Sequence, residues 1–203
     1  MAKSHASKHN EAMIYVFGRL KSVPEQKDAV SVVTGIYDEF ATSNGLPFPF
    51  GPIYSPTFPE RFDDIDLYDQ IRISKNSPEL KAAATELVKI TERQLTYTDF
   101  EAELTRLTDA ESKNLKAGDA TTFNDMVIVA KQSHSLYFGK ADEANTFSAL
   151  VNGLQGGIGQ GGNNEPMARV NWWKVLACDC IGGLVGGPGG YLGASAISVI
   201  MQL

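Results

Sequence analysis

The sequence predicts an all-α fold: a helical bundle with a long Pro/aromatic crossover loop and a Gly-rich C-terminal helical hairpin. Three observations predict it. Apolar residues recur at helical spacing through most of residues 1–154, and no alternating strand pattern of useful length interrupts them. Residues 168–203 are apolar, nearly uncharged and stepped by small side chains. With 203 residues, 43% of them hydrophobic and 21% charged, the chain is large and apolar enough to fold around a core.

From about Ser7 to Lys21, Met13, Val16, Phe17 and Leu20 make one amphipathic stripe. A second helix is expected from a capping box, Ser22 with Glu25, and Pro24 in the first turn. Val30, Val33, Tyr37 and Phe40 form its inner face, and Asn44-Gly45 is its stop. Residues 46–62 hold five prolines interleaved with Phe48, Phe50, Tyr54, Phe58 and Phe62, a crossover that can be neither helix nor central strand. A short acidic piece follows, from Asp63 to Ser74. Ser77-Pro78-Glu79 then opens a strong helix, and Thr98 with Glu101 predicts a capping box for the next, whose stripe runs to a stop at Gly118. Further helices are expected from near Thr121 to Gly139 and around Ala144, Phe147, Val151 and Leu154, giving five to seven in residues 7–154.

Composition also divides the chain. Residues 1–154 read as the bundle, 155–167 as a flexible Gly-rich joint, and 168–203 as an apolar hairpin with arms of about 168–185 and 191–201 around Gly186 to Gly190. In that last segment Cys178, Gly182, Gly186, Gly190, Ala194 and Ser198 recur every fourth residue, and Gly183 and Gly187 repeat the step one position later. On a helix this leaves one face nearly bare, so that another backbone can approach closely. Trp172 and Trp173 stand at its edge. These nine positions from Trp172 to Ser198 other than Cys178 (Trp172, Trp173, Gly182, Gly183, Gly186, Gly187, Gly190, Ala194 and Ser198) are the expected helix-contact or membrane segment. The stretch resembles the glycine-zipper segments of bacterial membrane proteins and is similar to unmodified two-peptide bacteriocins, which implies helix association in or at a bilayer. Leu154-Gln155-Gly156-Gly157 likewise looks like the end of a double-glycine leader. Against a spanning helix stands Pro188 in the middle of the run.

No catalytic motif is found. His5 and His9 lie four apart but lack a third ligand, so a solvated pair is expected; His134, on an apolar stripe, is expected in the core on a carbonyl. Asp63, Asp64, Asp66 and Asp69 lack the glycine and closing glutamate of a calcium loop. Residues 156–161 lack the Lys-Ser/Thr ending of a phosphate loop, and no nucleophile elbow occurs. Cys178 and Cys180 point about 200° apart on a helix and read as buried thiols rather than a disulfide. A net charge of −6 gives no footprint for nucleic acid. The expectation is a non-enzymatic protein without metal or cofactor, acting by close helix association of its C-terminal segment with itself or another protein. The alternative is a membrane-active, toxin-like protein that inserts that segment into a bilayer. No N-terminal signal peptide is seen, which makes the cytoplasm the default location, with membrane association or export by a non-classical route as the alternatives.

Overall fold

The computed structural model describes residues 4–22, 24–46, 64–155, 170–186 and 190–203, without the side chains of 26, 27, 155, 185, 186 and 190–193. Among these residues every regular element is a helix. A 3-10 turn, Ala6–Lys8, leads into α1 (His9–Arg19), followed by α2 (Gln26–Asn44), α3 (Leu67–Ile73), α4 (Pro78–Glu92), α5 (Tyr97–Glu111), α6 (Ala117–Phe138), α7 (Asp142–Gln155), α8 (Trp172–Gly186) and α9 (Gly190–Ile200). The fold is all-α. The crossover loop over 47–62, the joint over 156–167 with its Gly156-Gly157 site, and Gly187 lie outside the described residues.

Several caps follow the sequence closely. Gly45 closes α2 at φ 64°, a left-handed conformation glycine takes without strain, and its N–H reaches the carbonyls of Ala41 and Thr42. Ser77 caps α4 by accepting from the Leu80 N–H at 3.1 Å, and its hydroxyl also donates to Asp119 at 2.7 Å, tying the starts of α4 and α6 together. Asp66 caps α3 by accepting from the N–H groups of Tyr68 and Asp69, each at 3.0 Å. That turns part of the acidic run into a helix start.

Other boundaries differ. Ser22 makes no capping box: α2 begins only at Gln26, because Glu25 with ψ 143° holds the extended N-cap position and has no side-chain cap bond. The cap of α5 is Thr96, two residues earlier than Thr98; its hydroxyl oxygen accepts from the Asp99 N–H and donates to the Asp99 carboxylate at 2.8 Å. The α5 stripe ends at Glu111, and Gly118 stops nothing, since it sits in the first turn of α6.

The architecture is organised by α8. Every residue from Val175 to Leu184 is buried. A helix that is apolar on all sides has no face for water and belongs at the centre. α9 returns antiparallel along it, and α6, α4 and α3 pack on its other sides, while α1 and α2 cover α9. The covering helices are amphipathic: α1 buries Ala12, Met13, Val16 and Phe17, and α4 buries Leu80, Ala83, Ala84, Leu87 and Val88. One continuous apolar core therefore includes residues from both the first 154 positions and the hairpin. At the open end of the hairpin, Asn171 caps α8 by accepting from the Lys174 N–H at 3.1 Å, and its own N–H donates to the Gln202 side chain at 2.7 Å. At the other end Asn76 donates to the Leu184 carbonyl at 2.7 Å, satisfying one of the last open acceptors of α8.

The arms have 15 and 11 residues, about 22 and 16 Å at 1.5 Å per residue, against the roughly 30 Å of a bilayer's hydrocarbon. Among the described residues no helix is long and apolar enough to cross a membrane. Because α8 fills the centre, a chain ended after Gly162 should lose cooperative thermal unfolding while keeping much of its helical circular dichroism; a sharp, reversible transition in that fragment would show that α1–α7 make a core without it.

Candidate functional site

The unusual chemistry of this chain lies where α1, α6, α8 and α9 meet. Asp179, the only charged residue from Val175 to the C-terminus, is fully buried. Its Oδ2 accepts from the hydroxyls of Ser133 and Tyr137, both at 2.7 Å. Its Oδ1 has no hydrogen-bond partner among the described residues. His9, also fully buried, brings Nε2 to 3.6 Å from Asp179 Oδ2 and to 2.9 Å from the Ser195 hydroxyl. Asn10 sits beside the imidazole, with Oδ1 3.3 Å from Nδ1.

Helical spacing builds this knot. Ser133 and Tyr137 are four apart on α6 and continue the inner stripe of Met126 and Ala130. His9 lies four before Met13, so it continues the inner stripe of α1. That placement overturns the expected solvated histidine pair: His9 is fully buried and His5 is 2% exposed, its Nδ1 hydrogen-bonded to the Tyr37 hydroxyl.

Burial dominates the electrostatics. Loss of solvent pushes Asp179 up to about 7, although the Ser195, Ser133 and Tyr137 hydroxyls each pull it back. Loss of solvent also lowers His9 to about 4, with Asn10 opposing. The Tyr137 phenol is held well above its ordinary value, by burial and then by the neighbouring carboxyl. The group contains a serine, a histidine and an aspartate but not the arrangement of a hydrolytic triad. There the carboxylate and the hydroxyl use opposite ring nitrogens; here Asp179 and the Ser195 hydroxyl both approach Nε2. The Ser133 hydroxyl is 3.5 Å from either ring nitrogen and donates to Asp179 instead, and all four side chains are sealed from water.

The nine residues singled out in the sequence are distributed along the hairpin. Gly182 and Gly183 are buried within α8, Gly186 is its last residue and Gly190 the first of α9. Ala194 is half-buried and Ser198 buried beside Cys178. Trp172 and Trp173 dock the hairpin sideways. The Trp172 ring lies 4.8 Å from that of Tyr137 and 5.8 Å from that of Phe147, while Trp173 stacks on Phe138 at 4.0 Å and stands 5.5 Å from His134. His134 is in the core as expected, its ring nitrogen 3.1 Å from the Leu95 carbonyl oxygen.

Beside Trp173 opens a cleft of about 490 Å³, walled by Asp64, Asp66, Tyr68, Glu92, Gln94 and Lys174. The Tyr68 hydroxyl donates to Glu92 at 2.7 Å, and burial together with the surrounding carboxylates raises it to about 12. Gln94 is left-handed at φ 52°, two residues past the end of α4. Helix termination accounts for that conformation without any ligand. Among the described residues no group of three or more His, Cys, Asp or Glu side chains could hold a metal ion.

Both cysteines are buried and unbridged. Burial raises the Cys178 thiol to about 12 and Cys180 well above its ordinary value. The thiolate is the reactive form. Neither thiol should therefore be labelled by an aromatic disulfide reagent in the folded protein at mildly alkaline pH, and both should react at once in denaturant; rapid labelling of the native protein would contradict the docked hairpin.

Comparison of the chain with protein-family models, curated proteins and solved structures finds no match.

Proposed function

We propose that this chain is a non-enzymatic helical interaction protein that acts through close helix association of its C-terminal hairpin. One observation carries the reading. Of the small residues in this segment, Gly182 and Gly183 are buried within α8 and Ser195 and Ser198 within α9. Bare backbone lets helices come near enough for extensive van der Waals contact, and α9, α6, α4 and α3, which pack on α8, are the neighbours such a face would admit. A second copy or another protein would engage by competing for, or extending, the same contact. The sealed position of His9, Asp179 and Ser195 and the ring nitrogen that the last two share support a structural rather than a catalytic use of those side chains.

A second reading, membrane insertion of the hairpin, draws support from a different observation. An apolar hairpin sheathed by amphipathic helices is an arrangement in which a membrane-seeking segment is kept from water. The short arms and the buried Asp179 weigh against it, since a charge in hydrocarbon is costly.

Full-length protein mixed with dye-loaded anionic vesicles separates the two. Helix association predicts intact vesicles. It also predicts that Gly182→Leu lowers stability by about 1–3 kcal/mol through overpacking and alters the oligomeric state or partner capture. Leakage that disappears when the hairpin is removed would replace this reading with the membrane one, and unchanged melting and assembly in G182L would refute the zipper contact.

A further inference from the structure

We propose that His9 and Asp179 hold one proton between them, so that the hairpin docks into the bundle without a net exchange of protons with solvent. The geometry points to this. The two side chains are 3.6 Å apart and fully buried, one from the first helical turn of α1 and one from the middle of α8. One carboxyl oxygen receives two hydroxyl donors, while the other is buried and has no partner among the described residues. An imidazolium and a carboxylate exposed in the undocked chain become, on docking, a neutral imidazole and a carboxyl group: the proton leaves the ring nitrogen and ends on the carboxyl oxygen. Atoms and charge balance within the pair, and nothing else need be bound or released.

The surroundings leave these two groups to settle the charge. α6 turns Ser133 and Tyr137 towards Asp179, α9 turns Ser195, and α1 places Asn10 beside His9. On α8 itself Cys178 and Cys180 stay protonated thiols, and Lys174 lies in the first turn. α3 and α4, which also pack on α8, bury Leu67, Ile71, Leu80, Leu87 and Val88, and none of their charged residues is buried.

The pH signature is a cancellation. Asp179 is raised from 3.8 to about 7, so in that window the docked state holds a proton the undocked state lacks, and this contribution to stability is lost as pH rises. His9 is lowered from 6.5 to about 4, so between those values the undocked state holds the extra proton, and this contribution is lost as pH falls. Between about 4 and 6.5 the two slopes oppose each other, each about one proton per molecule.

Chemical denaturation of the full chain across this range tests the pair. Relative to the wild type, His9→Gln leaves Asp179 alone, and its stability should fall as pH rises from about 4 to 6.5, the window in which the His9 contribution has been removed. Asp179→Asn leaves His9 alone, keeps an acceptor for Ser133 and Tyr137, and should gain stability relative to the wild type as pH rises from about 4 to about 7. The double variant should return to the wild-type slope. Single variants whose slopes share one sign, or match the wild type, would overturn the proposal. A measurement on the unaltered protein does not depend on variants folding: nitrogen NMR of the three imidazoles should show His9 neutral down to about pH 4, and a charged His9 at pH 6 would refute the transfer.

Discussion

Everything in this structure depends on a helix that has no outward face. The side chains of Val175, Leu176, Ile181 and Leu184 are each nearly or wholly removed from water. At about 1.5–3 kcal/mol for each large aliphatic side chain, they contribute roughly 6–12 kcal/mol, as much as the net stability of a typical domain. Such a helix is insoluble alone. The amphipathic helices around it serve as its solvent, and their polar faces carry charges, some in short-range pairs such as Glu86 with Lys89 and Glu103 with Arg106, which add little to stability.

Placing a carboxyl group in the middle of that helix is the one expensive choice the sequence makes. Burying a carboxylate costs several kcal/mol, and two hydroxyl donors return about 1.5–3 kcal/mol each. The balance is close, and neutralising the group tips it. An apolar residue at 179 would pack without this difficulty but would leave the hydroxyls of Ser133, Tyr137 and Ser195 without that acceptor. Around Asp179, α6, α9 and α1 each present a polar side chain.

The fold was legible to the degree that it was written locally. Ser77-Pro78, Asn44-Gly45 and the stripe of α1 each carry their meaning within a few residues, and the helical arms of the hairpin could be read from an apolar run broken by Gly186 to Gly190 with Pro188. Capping was less legible. Thr96 and Thr98 are chemically equal candidates for the start of α5, and the structure uses Thr96, whose hydroxyl accepts from the Asp99 N–H. The polar knot was the least legible. His9 could have been placed in the core by its spacing to Met13, but the polar groups that surround it there stand 124, 170 and 186 residues away, at Ser133, Asp179 and Ser195. Long-range pairing of polar groups leaves no periodic trace in the chain. A lone charge in an apolar run such as Asp179 indicates that partners exist without saying where.

The claim that α8 is the centre on which the other helices depend is tested most directly by native-state hydrogen exchange. The amides of residues 175–184 should exchange only through global unfolding, with the same opening free energy as the most protected amides of α4 and α6. Exchange of α8 through a smaller opening, with α4 and α6 still protected, would show that the bundle stands without its central helix and would contradict this account.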